Sequence, residues 1–319
     1  VTDAPANAKP LDVAGLIDEF MAAYAGKDPA IEQRLSVWRE RLGAVRLAEI
    51  TDDHIFDALD RLAQEPARMW AGFDADGKPV YRRRATKKSP STVNRYHVAL
   101  SAVFSWAIRK RRVARGFENP CRKVERQREA PGVVRFLSNE ERQRLLDAVR
   151  ASRWPRLYLL VLLAITTGAR RGELTALRWS DIDFERAEAH VPFSKNGEPK
   201  VLPLVPAVLE ELQRFHGEDR ERFKIGTPSM LVFHSRRRPD VVYTFEETWR
   251  EALSASQVRR FRFHDLRHTC ASYLAQSGAS LLEIADVLGH RQLAMTKRYS
   301  HLTTGTKKAL VARVLGDLR

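Results

Sequence analysis

The sequence predicts a mainly α chain of two domains, with one small β-hairpin or sheet in the second. Three observations carry this. Apolar residues recur at helical spacing through most of residues 11–125. A polar stretch ending in Pro-Gly, "ERQREAPGVV" (125–134), then interrupts the pattern as an interdomain linker would. Beyond it, the one strong hairpin signal is Asn196-Gly197 between two β-rich runs. The expected division is 1–127, a linker at 128–135, and 136–319.

The elements follow in order. "LDVAGLIDEFMAAY" places apolar residues at 11, 13, 16, 20 and 21, one helical stripe. "TDDHIFDALDRLA" offers Thr51 as an N-cap and acids in the first turn, which suit the positive end of a helix. Residues 66–88 break the pattern. They contain "DADGK" and read as an exposed loop or short hairpin, longer than the surrounding helices need. Ser89-Pro90 then starts a helix. Its buried face is Val93, Ala99, Leu100, Val103, Phe104 and Ala107, and Thr92, Asn94, Arg95 and Arg109 project elsewhere. In the second domain, Ser138 and Glu141 form a capping box. "LYLLVLLAITTGA" (157–169) is too short to span a membrane and reads as a buried helix. "SLLEIADVLGH" is an amphipathic helix closed by Gly289, and a short helix carrying Tyr299 follows. The tail, 305–319, has an apolar stripe of Leu310, Val311, Val314, Leu315 and Leu318.

Charge narrows the function. The net charge is +15. It is uneven: residues 1–77 carry −7, residues 78–130 carry +13, and the remainder +9. So concentrated an excess points to a polyanion, above all nucleic acid. Arg83, Arg84, Lys87, Lys88, Thr92, Asn94 and Arg95 are the candidate DNA contacts within the basic block. Two distant cysteines make neither a disulfide framework nor a metal cluster, and they fit a reducing cytoplasm. No signal-peptide pattern opens the chain.

Four stretches carry chemistry. "TTGARRGELTALRW" places Arg170 at a helix junction, with Glu173 as its structural partner. "SKNG" places Lys195 at the hairpin tip. "FRFHDLRHTC" sets His264 and Arg267 three apart on one helical face, leaving Asp265 and His268 to structural roles. "LGHRQLAMTKRYSHL" gives His290 and, nine residues on, Tyr299. Two guanidiniums, a lysine, two histidines and a tyrosine suit a phosphodiester. Arginine forks neutralise the non-bridging oxygens, a histidine takes the phenolic proton, and a cation protonates the departing alkoxide. No acidic cluster for Mg²⁺ and no Gly-rich phosphate loop is present, so neither metal nor nucleotide cofactor is implied.

In order and spacing these motifs resemble the tyrosine recombinases, the family of phage integrases. The resemblance covers roughly 136–302, and the helical, basic segment before it is similar to the family's core-binding domain. It implies a two-domain C-shaped clamp on duplex DNA, with four protomers synapsing two attachment sites and a monomer when free. Accessory DNA-bending or directionality factors would assist. Tyr299 would attack the scissile phosphate to give a 3′-phosphotyrosyl bond and a free 5′-hydroxyl. Arg170 and Arg267 would clamp the phosphate, Lys195 would be the general acid, His264 the general base, and His290 a phosphate ligand. The tail would dock on a neighbouring protomer or on its own domain. Many integrases carry a further N-terminal arm-binding domain, for which nothing before residue 11 leaves room: either this is a simpler recombinase or upstream residues are missing. An integrase of a phage or genomic island is the first expectation. A chromosome-dimer resolvase, a transposon recombinase, a type IB topoisomerase and a catalytically dead DNA-binding protein are the alternatives.

Overall fold

A computed structural model of the chain describes residues 12–74, 79–130, 134–192, 199–223, 228–303 and 311–312. The chain divides into two compact units, Val1–Pro131 and Gly132–Arg319, and the division falls inside the 128–135 stretch.

The first unit is helical apart from one ribbon: α1 (Val13–Ala22), α2 (Ile31–Leu42), α3 (Asp52–Gln64), β1 (Pro66–Phe73), β2 (Pro79–Lys87) and α4 (Pro90–Arg109). Local sequence sets the boundaries. Asp12 caps α1 by accepting from the Gly15 amide at 2.8 Å. Ser89 accepts from the Thr92 amide, with Pro90 at the first helical position of α4. The apolar faces of the four helices meet around Leu16, Ile17, Leu35, Trp38, Ile55, Leu100, Val103 and Phe104. Each such side chain stabilises the fold by about 1.5–3 kcal/mol through burial. Trp38 also donates its indole N–H to the Tyr96 carbonyl at 2.9 Å, so the polar edge is not orphaned.

The segment 66–88 is a two-stranded antiparallel ribbon, with Met69 opposite Arg82 and Trp70 opposite Tyr81. Its root is fixed by the Lys88 amide donating to the Glu65 carbonyl at 3.0 Å. Residues 80–86 are exposed on both faces of the strand.

The second unit contains α5 (Asn139–Arg150), α6 (Arg156–Thr167), α7 (Arg171–Thr175), β3 (Ile182–Asp183), β4 (Glu188–Val191), β5 (Lys200–Pro203), α8 (Pro206–Phe223), α9 (Glu246–Ala255), α10 (Asp265–Gln276) and α11 (Leu281–Leu288). The capping box at α5 is present, with Ser138 and Glu141 each accepting from the other's backbone N–H. Helix α6 is apolar nearly all round and is buried accordingly: Leu157, Leu159, Leu160, Val161 and Leu163 are inaccessible to solvent. The strands form one antiparallel sheet in the order β3-β4-β5, with Ala189 opposite Leu202 and Val191 opposite Lys200. The Asn196-Gly197 tip and Lys195 lie outside the described residues, as does all of the tail except Val311 and Ala312. Tyr299 stands on a 3₁₀ turn, Lys297–Thr303, rather than an α-helix. Among the described residues no helix is long and apolar enough to cross a membrane.

Candidate active site

Two left-handed glycines bring the chemistry together. Helix α6 ends at Gly168, whose φ is +61°. A Cβ there would stand 2.5 Å from Leu288 and 3.2 Å from the Cys270 sulfur, so α10 and α11 approach the turn only because the side chain is absent. Arg170 follows. Glu173, buried at the start of α7, accepts from the Arg170 backbone N–H at 2.9 Å and from its Nη1 at 2.7 Å. Glu173 therefore has the orienting role the sequence assigns it.

Arg267 enters from the first turn of α10. It is buried, and its Nη1 donates to the Gly168 carbonyl at 2.6 Å. Its Nη2 is buried with no hydrogen-bond partner among the described residues. Burial, reinforced by the charge of Arg170, pushes the guanidinium down to about 10, so it stays charged at neutral pH. Gly289, with φ +68°, ends α11 and turns His290 into the same space. The His290 Nδ1 pairs with the Thr296 hydroxyl at 2.8 Å. Burial, then Arg267 and Arg170, lower this imidazole to about 4, which keeps it neutral. His264, just before α10, is also lowered, first by burial and then by Arg267.

Tyr299 is 1% exposed, its ring packed with Ala271, Ala275, Ile284 and Leu288. Burial raises its phenol, against the charges of Arg298 and Arg267. The Tyr299 Oη lies 2.6 Å from Nδ1 of His268. The sequence reading gives His268 a structural place and the proton to His264; the imidazole within hydrogen-bond distance of the phenol here is that of His268. His268 sits one turn beyond His264, with ring centroids 5.2 Å apart, and it is the one that touches the phenol. Burial, then His264, lowers it to about 4, so it too is neutral.

A second residue that the sequence reading does not single out also lies here. Lys200, first residue of β5, shares a cavity of about 480 Å³ with Arg170, Gly289 and His290. The pleat could have disclosed it: Lys200 lies on the same face as Leu202, the buried side of the strand.

The candidate DNA contacts divide. Arg83, Arg84 and Arg95 are exposed. Thr92 is partly buried, its hydroxyl 2.9 Å from that of Ser89, and Lys87 donates to Gln64 at the ribbon's root. Two of the candidates are engaged within the fold. Lys88 is an ion-pair partner of Glu65, at 2.6 Å, with its side chain 6% exposed. Asn94 is buried and clamps the chain leaving α4's neighbourhood: its amide donates to the Gln127 carbonyl and accepts from the Gln127 N–H, both at 2.9 Å. Both residues have their polar groups committed within the fold. Among the described residues no cluster of three or more metal-ligating side chains occurs.

A family model described as the phage integrase family matches residues 135–305, more than half of the chain. The chain belongs to that family. It is 32% identical over 189 residues to the shufflon-specific DNA recombinase of Escherichia coli, covering 58% of this chain and 44% of that protein. It is 26% identical over 284 residues to the integrase of Salmonella phage P22, covering 85% of this chain and 70% of that one. A putative integrase of Pseudomonas phage Pf1 is 33% identical over 233 residues, 72% of this chain and 64% of that one. The fold is that of the Tn1549 transposon integrase solved with circular intermediate DNA. The TM-score is 0.70 at 17% identity, covering 95% of this chain and 99% of that one. Lambda integrase bound to a core site gives 0.62 at 22% identity, over 91% and 95%.

Proposed function

We propose that this phage integrase family member cuts and rejoins duplex DNA at specific sites through a covalent link to Tyr299, serving as the integrase of a phage or genomic island. The observation that carries this is a buried phenol, hydrogen-bonded to a neutral imidazole, near an arginine with an unpaired donor.

The Tyr299 oxygen attacks phosphorus as its proton passes to His268 Nδ1. The P–O5′ bond breaks and the 5′ oxygen takes a proton from Lys195, the hairpin lysine implied by the motif resemblance. Arg170 and Arg267 stabilise the charge that builds on the non-bridging oxygens, each donor contributing about 10²–10³ in rate. His290 donates a further hydrogen bond to the phosphate. His264 then has a secondary part, setting the electrostatics around His268. The phosphodiester energy is stored in the phosphotyrosine, so rejoining draws on no nucleotide. The exposed arginines of the ribbon and Arg95 supply non-specific phosphate contacts. The working assembly is a homotetramer on two synapsed sites.

The test is a duplex bearing a candidate attachment site, nicked close to the scissile bond so that the short leaving strand diffuses away. A protein–DNA adduct stable to denaturation, with a new 5′-hydroxyl end, supports the reading. Strand breakage without adduct would contradict it.

A further inference from the structure

We propose that Lys200 is a third cation of the phosphate clamp, set on the floor of the site to bind a non-bridging oxygen of the scissile phosphate. This rests on the reading above and extends it to a residue outside the motifs.

Four observations converge. First, three buried side-chain polar atoms lack a hydrogen-bond partner among the described residues: Lys200 Nζ, Arg267 Nη2 and Ser272 Oγ. The first two are cationic groups of one site. A buried ammonium without a partner costs several kcal/mol unless something negative joins it. Second, its surroundings are mostly positive. Arg267 and Arg170 both weigh against its proton; Glu173, which favours it, is already engaged by Arg170, and the exposed Asp286 lines the same cavity without bonding to its Nζ. Third, the register aims it inward. Lys200 lies opposite Val191, itself buried, and on the same face as Leu202. Fourth, its stem lies beside the backbone just before His290: a Cβ on Gly289 would stand in ordinary van der Waals contact with it, 3.4 Å from Cδ and 4.0 Å from Nζ.

Burial and the two arginines lower Lys200 to about 8. An arriving phosphate monoanion would reverse that trend and hold the proton on. Such a group is a good electrostatic stabiliser and a poor proton donor. Leaving-group protonation therefore stays with Lys195, and the two lysines of one hairpin divide the labour.

The experiment compares wild type, Lys200→Met and Lys195→Ala on three nicked substrates that differ only at the scissile linkage. These are the phosphodiester, a methylphosphonate with one charged oxygen replaced by methyl, and a linkage with sulfur at the bridging 5′ position. Lys200→Met should lose about 10²-fold or more in adduct formation on the phosphodiester. Its deficit relative to wild type should shrink at least tenfold on the methylphosphonate, which has no charge for Lys200 to neutralise. Bridging sulfur should rescue Lys195→Ala and not Lys200→Met. An equal deficit on all three substrates, wild-type cleavage by Lys200→Met, or rescue by sulfur would each overturn the proposal. A readout without DNA runs in parallel. Inorganic phosphate should raise the melting temperature of wild type more than that of Lys200→Met, and equal shifts would count against it. Should Lys200→Met melt far below wild type, Lys200→Gln takes its place. Tyr299→Phe separates the levels: if it forms adduct, the underlying reading fails, whereas if only the Lys200 results fail, that reading stands.

Discussion

Two buried clusters in the second unit each set arginine beside a carboxylate, and they have opposite characters. In the first, Arg156 on α6 pairs with Asp219 on α8 and donates also to the Val232 carbonyl. His234 lies 3.1 Å from the same carboxylate and the Trp179 indole donates to it at 2.9 Å. Each charged group there has a protein partner. In the second, Arg170, Arg267 and Lys200 share the buried carboxylate of Glu173, which Arg170 engages, and two cationic donors have no hydrogen-bond partner among the described residues. A buried ion set completed by the fold holds the fold together. One left incomplete is costly until an anion arrives, and that cost is what tunes it for phosphate.

The largest contrast comes from removing one charge in each cluster. Asp219→Ala leaves Arg156 buried and unpaired and should cost about 3–5 kcal/mol of stability, read by denaturant melts. Arg267→Met should leave the free protein as stable as wild type or more so, because it removes an unsatisfied donor. Its adduct formation should fall by about 10²–10³. Similar stability losses in both variants would erase the distinction between the clusters.

Next come the two histidines. His268→Phe should slow adduct formation by about 10²–10⁴, the span for a general acid or base, and His264→Phe should slow it less. The reverse order would return the phenolic proton to His264.

A smaller effect concerns pH. The folded-state lysine at position 200 releases its proton near 8, well below its unfolded value. Between there and about 10.4 the unfolded chain binds more protons, so this residue makes stability rise with pH across that window. Lys200→Met should lack that rise in melts taken from pH 7.5 to 10. His268 and His290, lowered to about 4, act likewise lower down: stability falls as pH drops from about 6.5 toward 4.

The smallest effects lie in the first unit. Arg83→Glu with Arg84→Glu should weaken binding to unrelated duplexes and flatten the salt dependence by about 0.9 per lost phosphate contact. Lys88→Ala should lower the melting temperature through Glu65 and leave the slope unchanged. A slope change with Lys88→Ala would place that lysine on DNA after all.

What the sequence discloses depends on how local the cause is. Ser89-Pro90, the Ser138 box, Gly168 and Gly289 act within one turn, and each boundary is where it is expected. The motif residues Arg170, Arg267 and His290 converge because both glycines stop their helices at the same space. Helix α2 could have been read from Ile31, Leu35, Trp38 and Leu42, a helical stripe diluted by charged neighbours. His268 could not be assigned in this way, since its partner is 31 residues away on a turn whose course no periodicity predicts. Asn94 is similar: its amide closes on Gln127, 33 residues on, and in the sequence it is one polar residue among several on a basic helix. Lys200 was legible from the pleat, but the Asn-Gly tip draws attention to Lys195 instead.

The central claim is that Tyr299 is the nucleophile. Tyr299→Phe removes one oxygen from a buried ring and should fold, melt and bind DNA like wild type. On a nicked attachment-site duplex, wild type should give an adduct whose DNA-linked peptide contains Tyr299, and the variant should give none. An adduct surviving in Tyr299→Phe, or a link mapped to another residue, would contradict the account.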